Sequence, residues 1–442
     1  MGIRALQASR RHGEKKSWEA GPLSLRACAL RILLSVALLL AASPAAWAQH
    51  SFTPEEMTGI AKDKARHFGD DPDQAPAPAR LKPALKPKLV RQAIRKVADW
   101  QLARSRPYFD QLWTSGVLYA GFLAASQATG DPKYRVAMRA MGEQFGWRLR
   151  SHLPNADDQC IAQAYLELYL QEREFGVVTI PLNEANERSA QAPLEPDLRE
   201  LEAKMVAPTR AELDALAAAP VDPGHNPWWW CDALFMAPPV WARMYAVTND
   251  RKYLDYLNRE WWAASDKLYD RQEHLYFRDA GFLARREPNG RKMFWSRGNG
   301  WVMAGAVRVL QFMPPDYPDR PRYIAQLQEM AARVASLQGP DGLWRAGLLD
   351  PEYYGLPETS GSALFTYALA WGINQGILDR KTYQPVVANA WKGLLAHIYA
   401  DGRLGCIQQT GDRPAFYKPT ASYNYGVGAF LLAGSEVLRL AR

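Results

Sequence analysis

The chain has 442 residues, 48% of them hydrophobic and 23% charged, which is ordinary for a globular protein with one large domain or two medium ones. Its formal charge of +8 is concentrated at the start, where seven Lys/Arg and two Glu in residues 1–48 contribute +5 and leave +3 for the rest. So small a residual charge gives no electrostatic footprint for nucleic acid, and no nucleic-acid partner is expected.

The first segment reads as an export signal. Arg26 and Arg31 flank the start of an apolar run from Ile32 to Ala42, Ser43-Pro44 breaks it, and Ala46-Trp47-Ala48 offers a small-x-small cleavage site before Gln49. The run is short for a bilayer span. Cys28 precedes it, where a lipid-anchor cysteine would follow it, so no membrane anchor is expected after cleavage. Residues 1–48 are therefore read as a Sec-type signal peptide, and the mature protein as secreted or periplasmic. Three cysteines remain: Cys160, Cys231 and Cys406. None is in C-x-x-C spacing, so neither a disulfide framework nor a zinc site is expected.

Residues 49–87 are rich in Pro, Ala and charge and read as a flexible or loosely packed lead-in. From about Lys88 the pattern is helical to the end, which makes 88–442 one domain. Helical runs recur in pairs. Thr129-Gly130-Asp131-Pro132-Lys133-Tyr134, Thr248-Asn249-Asp250-Arg251-Lys252-Tyr253 and Gly376-Ile377-Leu378-Asp379-Arg380-Lys381-Thr382-Tyr383 separate the two halves of three such pairs. Gly or Asn closes one helix, Asp caps the next and Pro fits its first turn; the Tyr is placed to pack back across the hairpin. At the opposite ends lie short strand-like excursions, Asp270 to Asp279, Asp341 to Arg345 and Asp401 to Gly405. Alternating hairpins that close on themselves predict an all-α fold, an (α/α)6 barrel of six helical hairpins in a toroid. Residues 172–227 are the least regular part, with one helix over about 207–219.

The richest chemistry lies in Trp228-Trp229-Trp230-Cys231-Asp232-Ala233-Leu234-Phe235-Met236-Ala237-Pro238-Pro239. Trp faces suit sugar rings, and an acid set against them is poorly solvated, which favours its neutral, proton-donating form. Asp232 also precedes a helical run, so the competing reading is an N-cap. A second cluster, Trp295-Ser296-Arg297-Gly298-Asn299-Gly300-Trp301, adds a guanidinium suited to a bidentate grip on a carboxylate. Two aromatic platforms, an acid and an arginine point to a pocket for an acidic sugar. For Trp230, Trp295 and Trp301 the competing role is core packing.

Residues 229–239 and 295–301 resemble signature blocks of glycoside hydrolase family 105, which is related to the family 88 unsaturated glucuronyl hydrolases. So do Pro357-Glu358-Thr359-Ser360-Gly361-Ser362-Ala363-Leu364-Phe365-Thr366-Tyr367 and Ala156-Asp157-Asp158-Gln159…Ala162-Gln163…Tyr165-Leu166-Glu167-Leu168-Tyr169. The resemblance covers about 88–442, with Ala162 where the family often has Gly. It implies the (α/α)6 barrel and an unsaturated rhamnogalacturonyl hydrolase or a near relative. Such an enzyme removes the 4,5-unsaturated uronic acid from the non-reducing end of lyase-generated oligosaccharides. The chemistry is hydration of a vinyl ether, with no cofactor and no metal.

The resemblance places the general acid and base at Asp232 and favours Asp158 as a second carboxylate; on spacing alone Asp157 and Asp158 each read equally as a cap of the helix that starts there. Arg297 would hold the uronate. Trp230, Trp295 and Trp301 would stack on sugar, His274 would lie nearby, and Glu358, Thr359 and Ser360 would line the pocket. His274 on its own reads equally as structural, and Thr359 and Ser360 equally as caps. Two other readings stand beside the hydrolase. One is a sugar epimerase or lyase on the same fold; an epimerase is disfavoured because His67, His152, His225, His274 and His397 are scattered. The other is a non-catalytic envelope sugar-binding protein, which has no use for a desolvated acid at Asp232. No Gly-rich loop joins a strand to a helix, so a nucleotide cofactor is not expected.

Overall fold

The computed structural model describes residues 69–175, 198–220, 224 and 226–442. All of them lie in one compact unit, Ile60–Arg442. The signal-peptide segment lies outside the described residues, as does the first half of the lead-in.

A short strand, β1 (Gly69–Asp70), precedes helices α1 (Pro87–Ser105), α2 (Trp113–Thr129), α3 (Lys133–Gln144), α4 (Ala156–Gln159), α5 (Ala162–Phe175), α6 (Leu198–Met205), α7 (Ala207–Ala218), α8 (Ala233–Met236), α9 (Pro238–Thr248) and α10 (Lys252–Leu268). Strands β2 (Tyr269–Asp270) and β3 (Leu275–Tyr276) form a hairpin. Then come α11 (Ser296–Leu310), α12 (Arg320–Ser336), α13 (Pro351–Tyr354), α14 (Thr359–Asn374), α15 (Arg380–Ala396), β4 (Ser422–Tyr423) and α16 (Asn424–Leu440).

Two kinds of helix alternate. In α1 the buried residues Val90, Ala93, Ile94, Val97, Ala98 and Leu102 follow the helical period, so one face is covered and the other is wet. Helices α10 and α12 share that pattern. By contrast α2, α11, α14 and α16 are buried nearly all round, as an inner ring requires. The inner ring closes: α2 packs on α5, α5 on α9, α8 and α9 on α11, α11 on α14, α14 on α16, and α16 on α2. This is the (α/α)6 toroid expected from the hairpin repeat. One close seam is α2 against α16, where a Cβ on Gly121 would lie 2.7 Å from the Gly428 Cα. Only glycine allows helix backbones that close.

The turn chemistry matches the sequence reading. Gly130 and Asn249 close α2 and α9 in the left-handed conformation, and Asp131 and Asp250 accept the backbone N–H groups of Lys133 and Lys252. Tyr134 stacks back on Phe122 across its hairpin, with ring centroids 6.0 Å apart. Helix α7 falls on the helix expected at 207–219. The excursions at the other end share an Asx turn, in which Asp270, Asp341 and Asp401 each accept the N–H two residues on.

From Gly69 onward the lead-in is pinned down, in contrast to the looseness its composition suggests. Strand β1 pairs with β4, Asp70 is held by Arg104 and Arg403, and Thr420 donates to the Pro72 carbonyl. Further on, the Ala79 N–H donates to Ile398 and the Ala400 N–H to Ala77, both at 2.8 Å. Composition missed this because all the anchoring partners but Arg104 lie more than 300 residues away in the chain. Cys160, Cys231 and Cys406 are buried free thiols. Among the described residues no helix is long and apolar enough to cross a membrane.

Candidate active site

The inner helices begin at one end of the toroid, so residues far apart in sequence meet there. Trp113 at the start of α2 stacks on Tyr425 at the start of α16, 5.2 Å between centroids. The Arg297 guanidinium at the start of α11 lies over the same Tyr425 ring. The positive ends of the helix dipoles also converge here, which favours an anionic ligand.

Asp232 stands at the N-terminus of α8, yet its side chain makes no capping hydrogen bond. The N-cap reading of this residue is therefore excluded. The side chain faces Arg278 instead, with 3.7 Å from Arg278 Nε to Asp232 Oδ2, and the Cys231 thiol approaches Oδ2 at 3.5 Å. The residue is only 8% exposed. Burial raises its pKa, against the pull of Arg278, Arg297 and the thiol.

The carboxyl that shares the field of Asp232 and Arg278 is Asp157, where the sequence reading expected Asp158. Asn155 caps α4 by accepting the Asp157 N–H, which frees the Asp157 side chain. Burial and the neighbouring charges of Asp232 and Asp158 raise its pKa to about 7, and Arg278 and Arg150 oppose the rise. Two acids and one arginine thus share one field, the arrangement that keeps a proton on a carboxyl near neutral pH. Asp158, the residue expected here, is spent elsewhere. It accepts from Arg150 Nη1 at 3.2 Å and the His152 N–H at 2.9 Å, and lies 3.1 Å from His152 Nδ1.

Arg278 is the residue that sequence reasoning missed. The chain after β3 pairs with the tryptophan run, since the Cys231 N–H donates to the Arg278 carbonyl and Trp230 bridges Asp279. That pairing sets Arg278 beside Asp232. Nη1 bonds Asp279 at 2.7 Å, while Nε has no hydrogen-bond partner. The guanidinium also faces the Trp229 ring at 5.4 Å. The available signal was the excursion ending in Phe277-Arg278-Asp279, a strand-like segment returning to the site end.

Arg297 is not free to grip a carboxylate. It is fully buried and donates to the carbonyls of Gln408 at 2.6 Å and Gln409 at 2.7 Å, sandwiched between Trp295 and Tyr425. Its work is to hold the 408–409 backbone. Glu358 is likewise internal. It caps α14 through the N–H groups of Ser360 and Gly361 and also accepts the Gln408 N–H. Ser360 Oγ donates to Glu358, and Thr359 Oγ1 to the Gly405 carbonyl. This block is the joint between α14 and segment 405–409, and its three side chains are buried.

The aromatic platforms shift as well. Trp301 is enclosed by Trp113, Phe235 and Tyr425, and Trp295 donates its indole N–H to Gln408 Oε1. Trp230 is 6% exposed, whereas its neighbour Trp229 is 48% exposed. Trp229 is the ring a sugar can reach. His274 sits in the β2–β3 turn on the outer wall between α10 and α12, against Tyr269 and Glu329. It is not part of the cluster. Among the described residues no group of three His, Cys, Asp or Glu is placed to hold a metal ion.

An (α/α)6 toroid with a buried acid and a second, half-buried one gathered at one end is the architecture of a class of carbohydrate-active proteins. Within it, the model of glycosyl hydrolase family 88 matches residues 86–441, and the chain belongs to that family of glycosidases. It is 39% identical over 357 residues to the unsaturated 3S-rhamnoglycuronyl hydrolase of Formosa agariphila, covering 78% of this chain and 89% of that one. A solved glycosyl hydrolase family 88 protein from Bacteroides vulgatus is similar at TM-score 0.69 and 29% identity, over 80% of this chain and 99% of that one. A solved protein named Polysaccharide Lyase BACCELL_00875 is similar at TM-score 0.68 and 30% identity, over 80% and 98%.

Proposed function

We propose that this glycosidase removes a 4,5-unsaturated uronic acid from the non-reducing end of lyase-generated oligosaccharides by hydrating its vinyl ether. The observation that carries this reading is the Asp232 carboxyl: buried, uncommitted to its helix, set beside Arg278 and within the field of a second acid. Protonated Asp232 gives its proton to C4, and positive charge develops at C5 and the ring oxygen. Water adds at C5 and returns a proton to the Asp232 carboxylate, so the acid is regenerated. The C5 hemiketal opens to a ketone, and the hemiacetal left at C1 expels the next sugar. Arg278 takes the uronate carboxylate, Asp157 holds the water, and Trp229 covers the ring.

The sugar that follows the uronate is a rhamnose on this reading, supported by two relatives named unsaturated 3S-rhamnoglycuronyl hydrolase, from Formosa agariphila and an Alteromonas species. Unsaturated rhamnogalacturonan disaccharide is the substrate to compare against the rhamnoglycuronyl one. The neighbour named as a lyase supports a second reading, in which the protein creates the unsaturated end. Ultraviolet absorbance separates them. Incubation with the unsaturated disaccharide is expected to remove the absorbance, whereas a gain of absorbance on the intact polysaccharide establishes the lyase. We also propose export: the mature N-terminus is expected near Gln49, and exported protein that retains residues 1–30 contradicts it.

A further inference from the structure

Large apolar side chains left in water are distributed unevenly over this protein. Among the described residues five are exposed: Leu198, Trp229, Leu283, Tyr353 and Phe416. Trp229 lies against Arg278; Leu283 and Phe416 are in loops, and Tyr353, in the short helix α13, touches Phe416. Tyr353 is 50% and Phe416 60% exposed, and they touch, with ring centroids 5.3 Å apart. Leaving two such rings in contact yet wet gives little to the fold.

Their setting is rigid. Tyr354, next to Tyr353, donates to Glu287 at 2.8 Å and packs on Phe416 at 5.8 Å. The loop carrying Phe416 is pinned at its start by Arg297 on the Gln408 and Gln409 carbonyls. Gln408 Nε2 crosses it to the Arg413 carbonyl at 2.7 Å, and Tyr417 Oη anchors its far side on the Leu356 carbonyl at 3.0 Å. The same loop reaches the active site. The Arg413 guanidinium, paired with Asp412, is 5.6 Å from the ring of Phe282, and Phe282 follows Arg278 by four residues. From Asp412 to Phe416 is four residues, at most about 14 Å of extended chain. The rings of Tyr353 and Phe416 therefore stand on a loop that runs on from the Asp232–Arg278 site, on a path open to a sugar chain leaving it.

The geometry points to a second stacking platform, Tyr353 with Phe416, that binds the apolar face of a sugar on the leaving-group side and makes the enzyme favour longer oligosaccharides. Pyranose rings present flat C–H faces that suit aromatic rings, and two rings held in place lose little entropy on binding. This inference rests on the proposed hydrolase reading for its direction along the chain.

The test compares wild type with Tyr353→Ala/Phe416→Ala on lyase-generated disaccharide and tetrasaccharide, both with unsaturated ends. Wild type is expected to show a lower KM for the tetrasaccharide. In the double variant that KM rises roughly five- to tenfold with kcat unchanged, while disaccharide KM stays within about twofold, as for lost uniform binding at a distant subsite. Phe416→Trp retains the preference. Equal KM values for both lengths in wild type, or an equal loss on both lengths in the variant, overturn the platform. If wild type cleaves neither substrate, the hydrolase reading fails. Calorimetric binding of the tetrasaccharide to wild type and double variant then decides the platform separately, and equal affinities reject it. Should the double variant not fold, Phe416→Ser and Phe416→Trp carry the same comparison.

Discussion

Arg297 and Arg278 lie near the same acid and are expected to fail in opposite ways when replaced by lysine. Arg297 is fully buried, stacked between two aromatic rings, and uses two donors on the Gln408 and Gln409 carbonyls. Lysine keeps the charge felt by Asp232 but loses the fork that spans both carbonyls. A charge-assisted hydrogen bond contributes about 1.5–3 kcal/mol, so the loss of one sets the expected destabilisation. At an unfolding entropy near 2.1 cal/mol/K per residue over a domain of this size, that lowers Tm by about 2–4 °C. Assayed well below Tm, KM for the unsaturated disaccharide is expected to hold. Arg278→Lys is expected to do the reverse, because its Nε makes no hydrogen bond, its ion pair with Asp232 is long at 3.7 Å, and its side chain reaches solvent. Tm changes little, and kcat/KM falls about 10- to 100-fold, the equivalent of one charged, bidentate contact. Thermal melts beside steady-state kinetics on both variants decide it. A large KM rise for Arg297→Lys at unchanged Tm refutes the assignment and restores Arg297 as the uronate ligand.

The remaining predictions follow the same separation of chemistry from packing. Asp232→Asn keeps the fold and substrate binding while kcat falls about 10²-fold or more, the range for a lost general acid; near-normal turnover excludes it as donor. Asp157 has its pKa raised to about 7, from an ordinary value of 3.8. Between those values the folded state keeps a proton that the unfolded state gives up, so the group's contribution to stability falls as pH rises through that window and is level above 7. Asp157→Asn has no such slope, so it gains stability relative to wild type from pH 4 to 7 in denaturant titrations; a constant difference contradicts the burial of this acid. Trp301→Ala is expected to cost about 3–5 kcal/mol as a cavity in the core, whereas Trp229→Ala leaves stability nearly unchanged and raises KM. The opposite pattern, measured by unfolding and kinetics, returns Trp301 to the sugar site.

The barrel was legible because its repeat is local. The Gly-Asp-Pro and Asn-Asp turns are each written in six consecutive residues, and the inner and outer helices differ in how far round they are apolar. Asp232 was legible for the same reason, since its tryptophans and its helix are its immediate neighbours. The rest of the site depends on pairings that no short window contains. Asp157 and Asp158 look alike in sequence; Asn155 two residues earlier takes over the capping, and Arg150 and His152 claim Asp158. Arg297 looked like a ligand because its neighbours are glycine and tryptophan, but segment 408–409, over 100 residues on, uses its donors. Arg278 carried no motif of its own and reaches Asp232 only through the backbone pairing with Cys231. Glu358 reads as a pocket acid until its three backbone N–H partners are counted.

Vinyl-ether hydration driven by Asp232 is the central claim, and the isotope content of the product tests it most directly. Hydration puts a solvent proton on C4 of the uronate, whereas displacement at C1 by a pair of carboxylates leaves C4 untouched. The enzyme is to be run on the unsaturated rhamnoglycuronyl disaccharide in D2O and the ring-opened product examined by NMR and mass spectrometry. The account predicts one deuterium at C4, a slower rate in D2O, and no cleavage of the saturated uronide. Product without deuterium at C4, or cleavage of the saturated uronide at a comparable rate, contradicts it and makes the protein an ordinary glycosidase.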